Sequence, residues 1–236
     1  MDRADQFRRI LGEDPDGAIY FLPWRTSFAM ALRFGLIGLQ RWRLCYELPT
    51  SVVSPDPERC AASIRRVVAD AVDQSGDRPP PVFIGFSMGS VLATLLAGRY
   101  GSRLWSFASA DRGDLMIWQS PAAQAIRAAA EARGKALVDF SRALEGLHPI
   151  DWLDRIDPNS RFAIGAFDRF VPSNRRSALI RGATRRVPRA NVVTEPLGHL
   201  GVMALSPWRQ RQWARAARHT PAANSSSSHV LAAGTR

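Results

Sequence analysis

The chain has 236 residues, of which 46% are hydrophobic and 22% charged, and its formal net charge is +11 at pH 7. These proportions are ordinary for a globular protein and suit a single domain with a sizeable core. The two cysteines, Cys45 and Cys60, are too few for a disulfide framework, which excludes the class of small disulfide-rich proteins.

Almost all of the positive charge is arginine, since Lys135 is the only lysine. One interpretation is attraction to an anionic surface or substrate, and the other is a compositional preference for arginine on solvated faces. The arginines are scattered along the chain and form only short doublets, which favours the second interpretation. The sequence has no nucleic-acid-binding motif, so we expect no nucleic-acid partner.

The predicted elements begin after a polar N-terminal lead-in, residues 1–17, which has one helical turn at 7–11. Short apolar runs then alternate with helix-forming stretches along the chain. We expect strands at 18–22, 43–48, 82–84, 104–108, 161–167 and 191–194. We expect helices at 28–40, 57–72, 90–100, 173–182 and 201–217, with Thr26 or Ser27 as a cap of the first and Ser173 as a cap of the fourth.

Residues 111–156 contain no convincing strand and are strongly helical by propensity, so we expect a helical insert there. The core would then comprise residues 18–110 and 157–217. Residues 218–236 are rich in Ala, Ser, Thr and Gly, which predicts a disordered tail.

Strands that alternate with helices predict an α/β protein with a mostly parallel sheet of about six strands and helices on both faces. In such sheets, functional sites form at the carboxyl ends of the strands. Three side chains (Ser87, Asp168 and His199) and the turn at 23–26 each follow a predicted strand. We therefore expect them at the same edge of the sheet.

The most informative stretch is Gly85-Phe86-Ser87-Met88-Gly89, which lies between a buried strand and a helix. A serine on such a tight turn is held in a strained backbone conformation that exposes its hydroxyl group. Small residues are needed two positions before and after it, because the strand and the helix cross there. We therefore predict Ser87 as a nucleophile, with the N–H of Met88 as an oxyanion donor.

A serine nucleophile needs a base, and the base needs a partner that orients it. Of the four histidines, only His199 follows a late strand in a loop of small residues, and it is the predicted base. Asp168 ends a strand 31 residues earlier and is the predicted acid. Other aspartates near this point of the chain resemble solvated charges or caps: Asp151, Asp154 and Asp157.

The order G-x-S-x-G, then D-x-x-V-P after a strand, then G-H after the last strand, resembles the α/β-hydrolase fold family over residues 18–217. The resemblance implies a Ser87-His199-Asp168 triad, with no metal and no organic cofactor. It also implies a second oxyanion donor in the turn after the first conserved strand, from the N–H of Arg25 or, less favourably, Trp24. That turn has Pro23-Trp24 where the family commonly has His-Gly.

By the same resemblance, the insert at 111–156 would be a lid, with Trp118 and Trp152 among the side chains that could contact a small-molecule acyl substrate. The predicted activity is hydrolysis of a carboxylic ester or thioester. Acyl transfer from the same acyl-enzyme and ligand binding without turnover remain the alternatives. The sequence does not predict the oligomeric state.

The N-terminal residues 1–17 carry charge throughout and lack the apolar centre of a signal peptide, so we expect a cytoplasmic protein. The most apolar stretch, 28–39, is interrupted by Arg33 and is too short to span a bilayer.

Overall fold

The computed structural model of the protein describes residues 6–37, 41–76, 78 and 80–219. The strands are β1 (Arg8–Leu11), β2 (Ala18–Phe21), β3 (Trp42–Glu47), β4 (Val82–Phe86), β5 (Arg103–Phe107), β6 (Arg161–Gly165) and β7 (Val192–Glu195). The helices are α1 (Phe28–Arg33), α2 (Pro57–Ser75), α3 (Met88–Tyr100), α4 (Gly113–Gln119), α5 (Gln124–Glu131), α6 (Leu137–Ala143), α7 (Ser173–Ala183) and α8 (His199–His219).

The seven strands form one sheet in the order β1-β3-β2-β4-β5-β6-β7. All neighbouring strands are parallel except β1, which pairs antiparallel with β3. The predicted α/β class and mostly parallel sheet are therefore confirmed, with seven strands among the described residues where about six were expected.

Helices cover both faces of the sheet, as the sequence predicted. Successive residues of β4 point to opposite faces, so Phe83 packs in the apolar cluster that contains Ile64 of α2 and Leu92 of α3. Ile84 packs in a second cluster, which contains Trp213 of α8. Because both faces are covered, every residue of β4 is buried, which explains why its sequence is a continuous apolar run.

The additional strand is β1, and the predicted helical turn at 7–11 was wrong. Arg8 to Leu11 form an edge strand in which Ile10 lies opposite Cys45 of β3, and Arg9 pairs with Asp70 at 2.7 Å. Most of this strand is exposed, so it lacks the apolar pattern that marks a buried strand. The 1–17 lead-in therefore contributes an edge to the sheet.

Several helix boundaries differ from the predictions. Helix α1 is capped by Ser27 as predicted but ends at Arg33, because Gly35 turns the chain with a φ of +68°. Residues 38–40 of the predicted helix lie outside the described residues. Ser173 is not the cap of α7, since that position belongs to Pro172, and α8 begins at His199 rather than at residue 201.

The insert between β5 and β6 is helical, as predicted, and comprises α4, α5, α6 and short 3₁₀ turns. Phe140 and Leu144 of the insert belong to the same apolar cluster as α2 and α3, so the insert packs on that face of the sheet. The predicted disordered tail lies outside the described residues apart from the end of α8. None of the described helices combines the length and apolar character needed to cross a bilayer.

Candidate active site

Ser87 lies between β4 and α3, with φ of 51° and ψ of −121°. Only glycine adopts a positive φ without strain, so the turn holds this serine in a costly conformation. Its N–H donates to the carbonyl of Phe107 on the neighbouring strand at 2.8 Å, which fixes the turn to the sheet.

The two glycines of the turn are required by close backbone approach. A Cβ added at Gly89 would lie 2.2 Å from the carbonyl oxygen of Phe21, and one added at Gly85 would lie 2.5 Å from Cα of Ser90. Strand β2, strand β4 and helix α3 therefore meet at this point with no room for a side chain, as the spacing of the motif predicted.

The structure brings Ser87, Asp168 and His199 together at the carboxyl ends of the strands. Nε2 of His199 is 2.9 Å from Oγ of Ser87, and Nδ1 is 2.7 Å from Oδ2 of Asp168. An ionised carboxylate can only accept hydrogen bonds, so the imidazole proton is assigned to Nδ1, and the Ser87 hydroxyl donates to Nε2. The three side chains thus form one continuous hydrogen-bonded series.

Backbone groups and one arginine hold Asp168 in this series. Its second oxygen, Oδ1, accepts from the N–H groups of Phe170 at 2.8 Å and Val171 at 3.0 Å. The guanidinium of Arg176, in the first turn of α7, donates to the carbonyl oxygens of Ala166, Asp168 and Val171. Arg176 therefore fixes the loop that carries the carboxylate, a role that sequence reasoning missed.

His199 is the first residue of α8, and the ring of Phe170 packs edge-on against its imidazole with centroids 5.1 Å apart. The side chain of His199 is only 10% exposed. The imidazole is therefore confined by packing as well as by its two hydrogen bonds.

The turn at 23–26 faces the same site and is closed by a hydrogen bond from the N–H of Thr26 to the carbonyl of Pro23 at 3.1 Å. Arg25 occupies its third position with a φ of 60°, where glycine is usually required. The Arg25 guanidinium lies 4.3 Å from the ring centroid of Trp24, and Arg25 is not among the residues that line the cavity. Met88 is the first residue of α3, so helix geometry leaves its N–H without an intrahelical partner.

A cavity of about 480 Å³ opens beside Ser87 and His199. It extends between α2 and the insert, where Cys60, Ile64, Ile117 and Leu144 line it. Among the described residues that line the cavity there is no Asp, Glu, Lys or Arg. Burial raises the pKa of the Cys60 thiol to about 12, so this wall carries no charge at neutral pH either. The cavity is suited to an apolar group.

Trp118 and Trp152, predicted to contact substrate, are not among the residues that line this cavity. Trp118 packs on Phe140 with ring centroids 5.9 Å apart. Trp152 donates its indole N–H to the carbonyl of Gly146 and packs against Gly98 of α3. Trp118 therefore packs within the insert and Trp152 packs the insert against α3, and their placement gives no support to a role in substrate contact.

Within the described residues there is no cluster of His, Cys, Asp and Glu that could hold a metal ion.

The insert contains a buried polar cluster that sequence reasoning missed. The Asp114 carboxylate is fully buried and accepts hydrogen bonds from Arg112 and Ser141. Burial alone would raise the pKa of Asp114, but these hydrogen bonds, together with the neighbouring His148 and the N–H of Leu115, outweigh burial and lower the pKa. His148, only 4% exposed, lies with Nε2 3.8 Å from the same carboxylate. Burial lowers the pKa of His148, and Asp114 offsets that effect only in part.

This cluster predicts a loss of stability in mild acid. Because the pKa of His148 is lower in the folded state than in the unfolded chain, the unfolded chain binds more protons below about pH 6.5. The contribution of His148 to the free energy of unfolding should therefore fall as the pH falls from 7 towards 5. In His148→Gln this contribution is absent, so stability should fall less over this range, as measured by urea unfolding at several pH values. Equal slopes for the two proteins would contradict the prediction.

Comparison with known proteins gives matches only at the level of structure. No family model matches the chain, and no curated protein sequence matches it. TT1662 from Thermus thermophilus is 16% identical with a TM-score of 0.61, and the match covers 91% of this chain and 94% of that one. Alpha/beta hydrolase domain-containing protein 10 from mouse is 16% identical with a TM-score of 0.56, and the match covers 89% of this chain and 94% of that one.

The esterase domain of a Rhodothermus marinus protein is 14% identical with a TM-score of 0.54, and the match covers 89% of this chain and 98% of that one. At such low identities these similarities show a shared fold. The chain has the α/β-hydrolase fold.

Proposed function

From this fold and site we propose that the protein is a serine hydrolase that cleaves a carboxylic ester or thioester through an acyl-enzyme on Ser87. The observation that carries the proposal is the series of hydrogen bonds from Ser87 to His199 to Asp168 at the mouth of an apolar cavity. The esterase named among the structural matches supports the same class of reaction.

In the proposed first step, Oγ of Ser87 attacks the acyl carbonyl carbon while Nε2 of His199 takes the hydroxyl proton. Asp168, held by two backbone N–H groups, stabilises the imidazolium that forms. His199 then gives the proton to the leaving alcohol or thiol. A water molecule that His199 deprotonates releases the acid and restores Ser87.

The oxyanion of the tetrahedral intermediate would be bound by the N–H of Met88 and by an N–H of the 23–26 turn, from Arg25 or Trp24. The first residue of a helix and a turn with a positive φ are both arrangements that direct free N–H groups at a ligand. The insert at 111–156 would act as the lid of the site, since Ile117 and Leu144 form part of the cavity wall.

The acyl group of the substrate should be neutral and apolar, since burying a charged group without a partner is costly and the described wall offers it none. A volume of about 480 Å³ is ample for a small-molecule acyl chain. We therefore expect medium-chain p-nitrophenyl esters to have higher kcat/KM values than the acetate.

Labelling with a fluorophosphonate tests this proposal directly. The reagent should modify the protein once, and peptide mass spectrometry should locate the adduct on Ser87. Ser120 lines the same cavity and provides a matched control, so Ser120→Ala should be labelled as the parent protein is. A protein that is neither labelled nor active on any ester of the series would refute the proposal and favour ligand binding without turnover.

A further inference from the structure

Large exposed hydrophobic side chains are unevenly distributed over the described surface. Seven of the nine lie on three segments, which are residues 25–37, 166–172 and 199–215. These seven are Met30, Leu32, Phe34, Phe167, Phe170, Leu200 and Trp208. The other two, Leu11 and Val138, lie on β1 and α6.

All three segments reach the cavity. Each contributes to its wall, through Thr26, Phe170 and Leu200 respectively. Two of the segments contact the third, residues 199–215. Residues 25–37 approach it closely, since a Cβ added at Gly35 would lie 3.5 Å from Pro207, and residues 166–172 contact it because the ring of Phe170 packs on His199. We call residues 25–37, 166–172 and 199–215 the mouth surface.

The exposed charged side chains of the mouth surface are all positive. It carries five exposed arginines, which are Arg25, Arg33, Arg169, Arg211 and Arg215. Its only carboxylate, Asp168, is buried and hydrogen-bonded to His199. Two neighbouring carboxylates are also engaged, since Glu47 accepts from the N–H of Phe28 and Glu195 pairs with Arg209. Exposed arginines and apolar side chains therefore occur here without exposed acids.

We propose that the mouth surface binds an anionic lipid bilayer. Apolar side chains enter the interface between headgroups and acyl chains, while arginines bind headgroup phosphates, and the two contributions add. An isolated exposed leucine or phenylalanine needs no explanation, but seven on three segments that all reach one cavity mark a binding surface. The presence of an apolar cavity that all three segments reach favours lipid over an acidic protein, because an acyl chain can pass from the bilayer into the cavity.

Membrane binding itself does not depend on chemistry at Ser87. The delivery of a lipid acyl group to the cavity, by contrast, rests on the proposed hydrolase function. The test therefore uses the full chain carrying Ser87→Ala, so that vesicles stay intact and the result is separate from turnover.

The experiment is co-sedimentation with vesicles of phosphatidylcholine alone or with 30% phosphatidylglycerol. We expect at least tenfold tighter binding to the anionic vesicles, weakening as salt is raised because exposed charges are screened. The proposal is overturned when the protein does not bind anionic vesicles, or binds both kinds equally.

Two pairs of substitutions identify the surface. The first variant combines Phe34→Ser with Phe167→Ser and should weaken binding at least tenfold. In the parent protein these two side chains are 60% and 69% exposed, and neither lines the cavity. Leu11→Ser with Val138→Ser replaces side chains of similar exposure, 70% and 58%, and should leave binding unchanged. Circular dichroism checks that both variants are folded. Equal losses in the two pairs would overturn the assignment of the mouth surface.

Discussion

Replacing Ser87 by alanine is expected to lower kcat/KM for the best p-nitrophenyl ester by about 10⁴-fold or more. The hydroxyl is the only proposed nucleophile, and it lies 2.9 Å from the imidazole that would activate it. Steady-state kinetics with the purified variant measure the effect. Residual activity within tenfold of the parent would show that the hydrolysis takes place without Ser87.

Two further variants separate chemistry from folding. Ser87→Gly should be equally inactive, yet more stable than the parent by about 1 kcal/mol, since glycine relieves the strain of a φ of 51°. His199→Gln alone, and His199→Gln combined with Ser87→Ala, should each lose about as much activity as Ser87→Ala, because residues that act as a unit are not additive. A double variant far less active than either single variant would contradict a shared mechanism.

Gly89→Ala is expected to destabilise the protein by about 3 kcal/mol or more, or to prevent folding altogether. The new Cβ would lie 2.2 Å from the carbonyl oxygen of Phe21, a backbone atom that cannot rotate away. The helix or the sheet must therefore shift. Thermal or urea unfolding measures the effect, and soluble yield reports it when the variant does not fold.

Gly113→Ala provides the matched control. Gly113 is the first residue of α4, and an added Cβ would have its nearest neighbour, Leu144, at 3.9 Å. The change should leave stability the same or slightly higher, since alanine is the better helix former. If Gly89→Ala were as stable as Gly113→Ala, the close approach of β2 and α3 would be refuted.

The sequence predicted the sheet and the proximity of three distant side chains because each signal was local. Ser87 lies in a five-residue motif between a buried strand and a helix, while Asp168 and His199 each follow a strand. The carboxyl ends of parallel strands meet at one edge, so position after a strand was sufficient to bring these residues together.

Features that depend on tertiary contacts could not be predicted in this way. Strand β1 is an exposed edge whose residues, Arg-Arg-Ile-Leu, lack the pattern of a buried strand. Part of the cavity wall is formed by α2 and the insert, whose packing no local pattern gives, and the two tryptophans expected there lie elsewhere. Arg176 carries no motif, and its role is apparent only from the three carbonyl oxygens that it contacts.

The contacts of Arg176 have a consequence for transplanting this site. The acid-bearing segment emerges from the sheet, yet it takes its shape from a cation on the following helix. A graft of residues 165–172 onto another scaffold would omit Arg176, and the segment would lose the hydrogen bonds that hold its backbone. The smallest portable unit therefore extends through residue 176 and includes the first turn of α7.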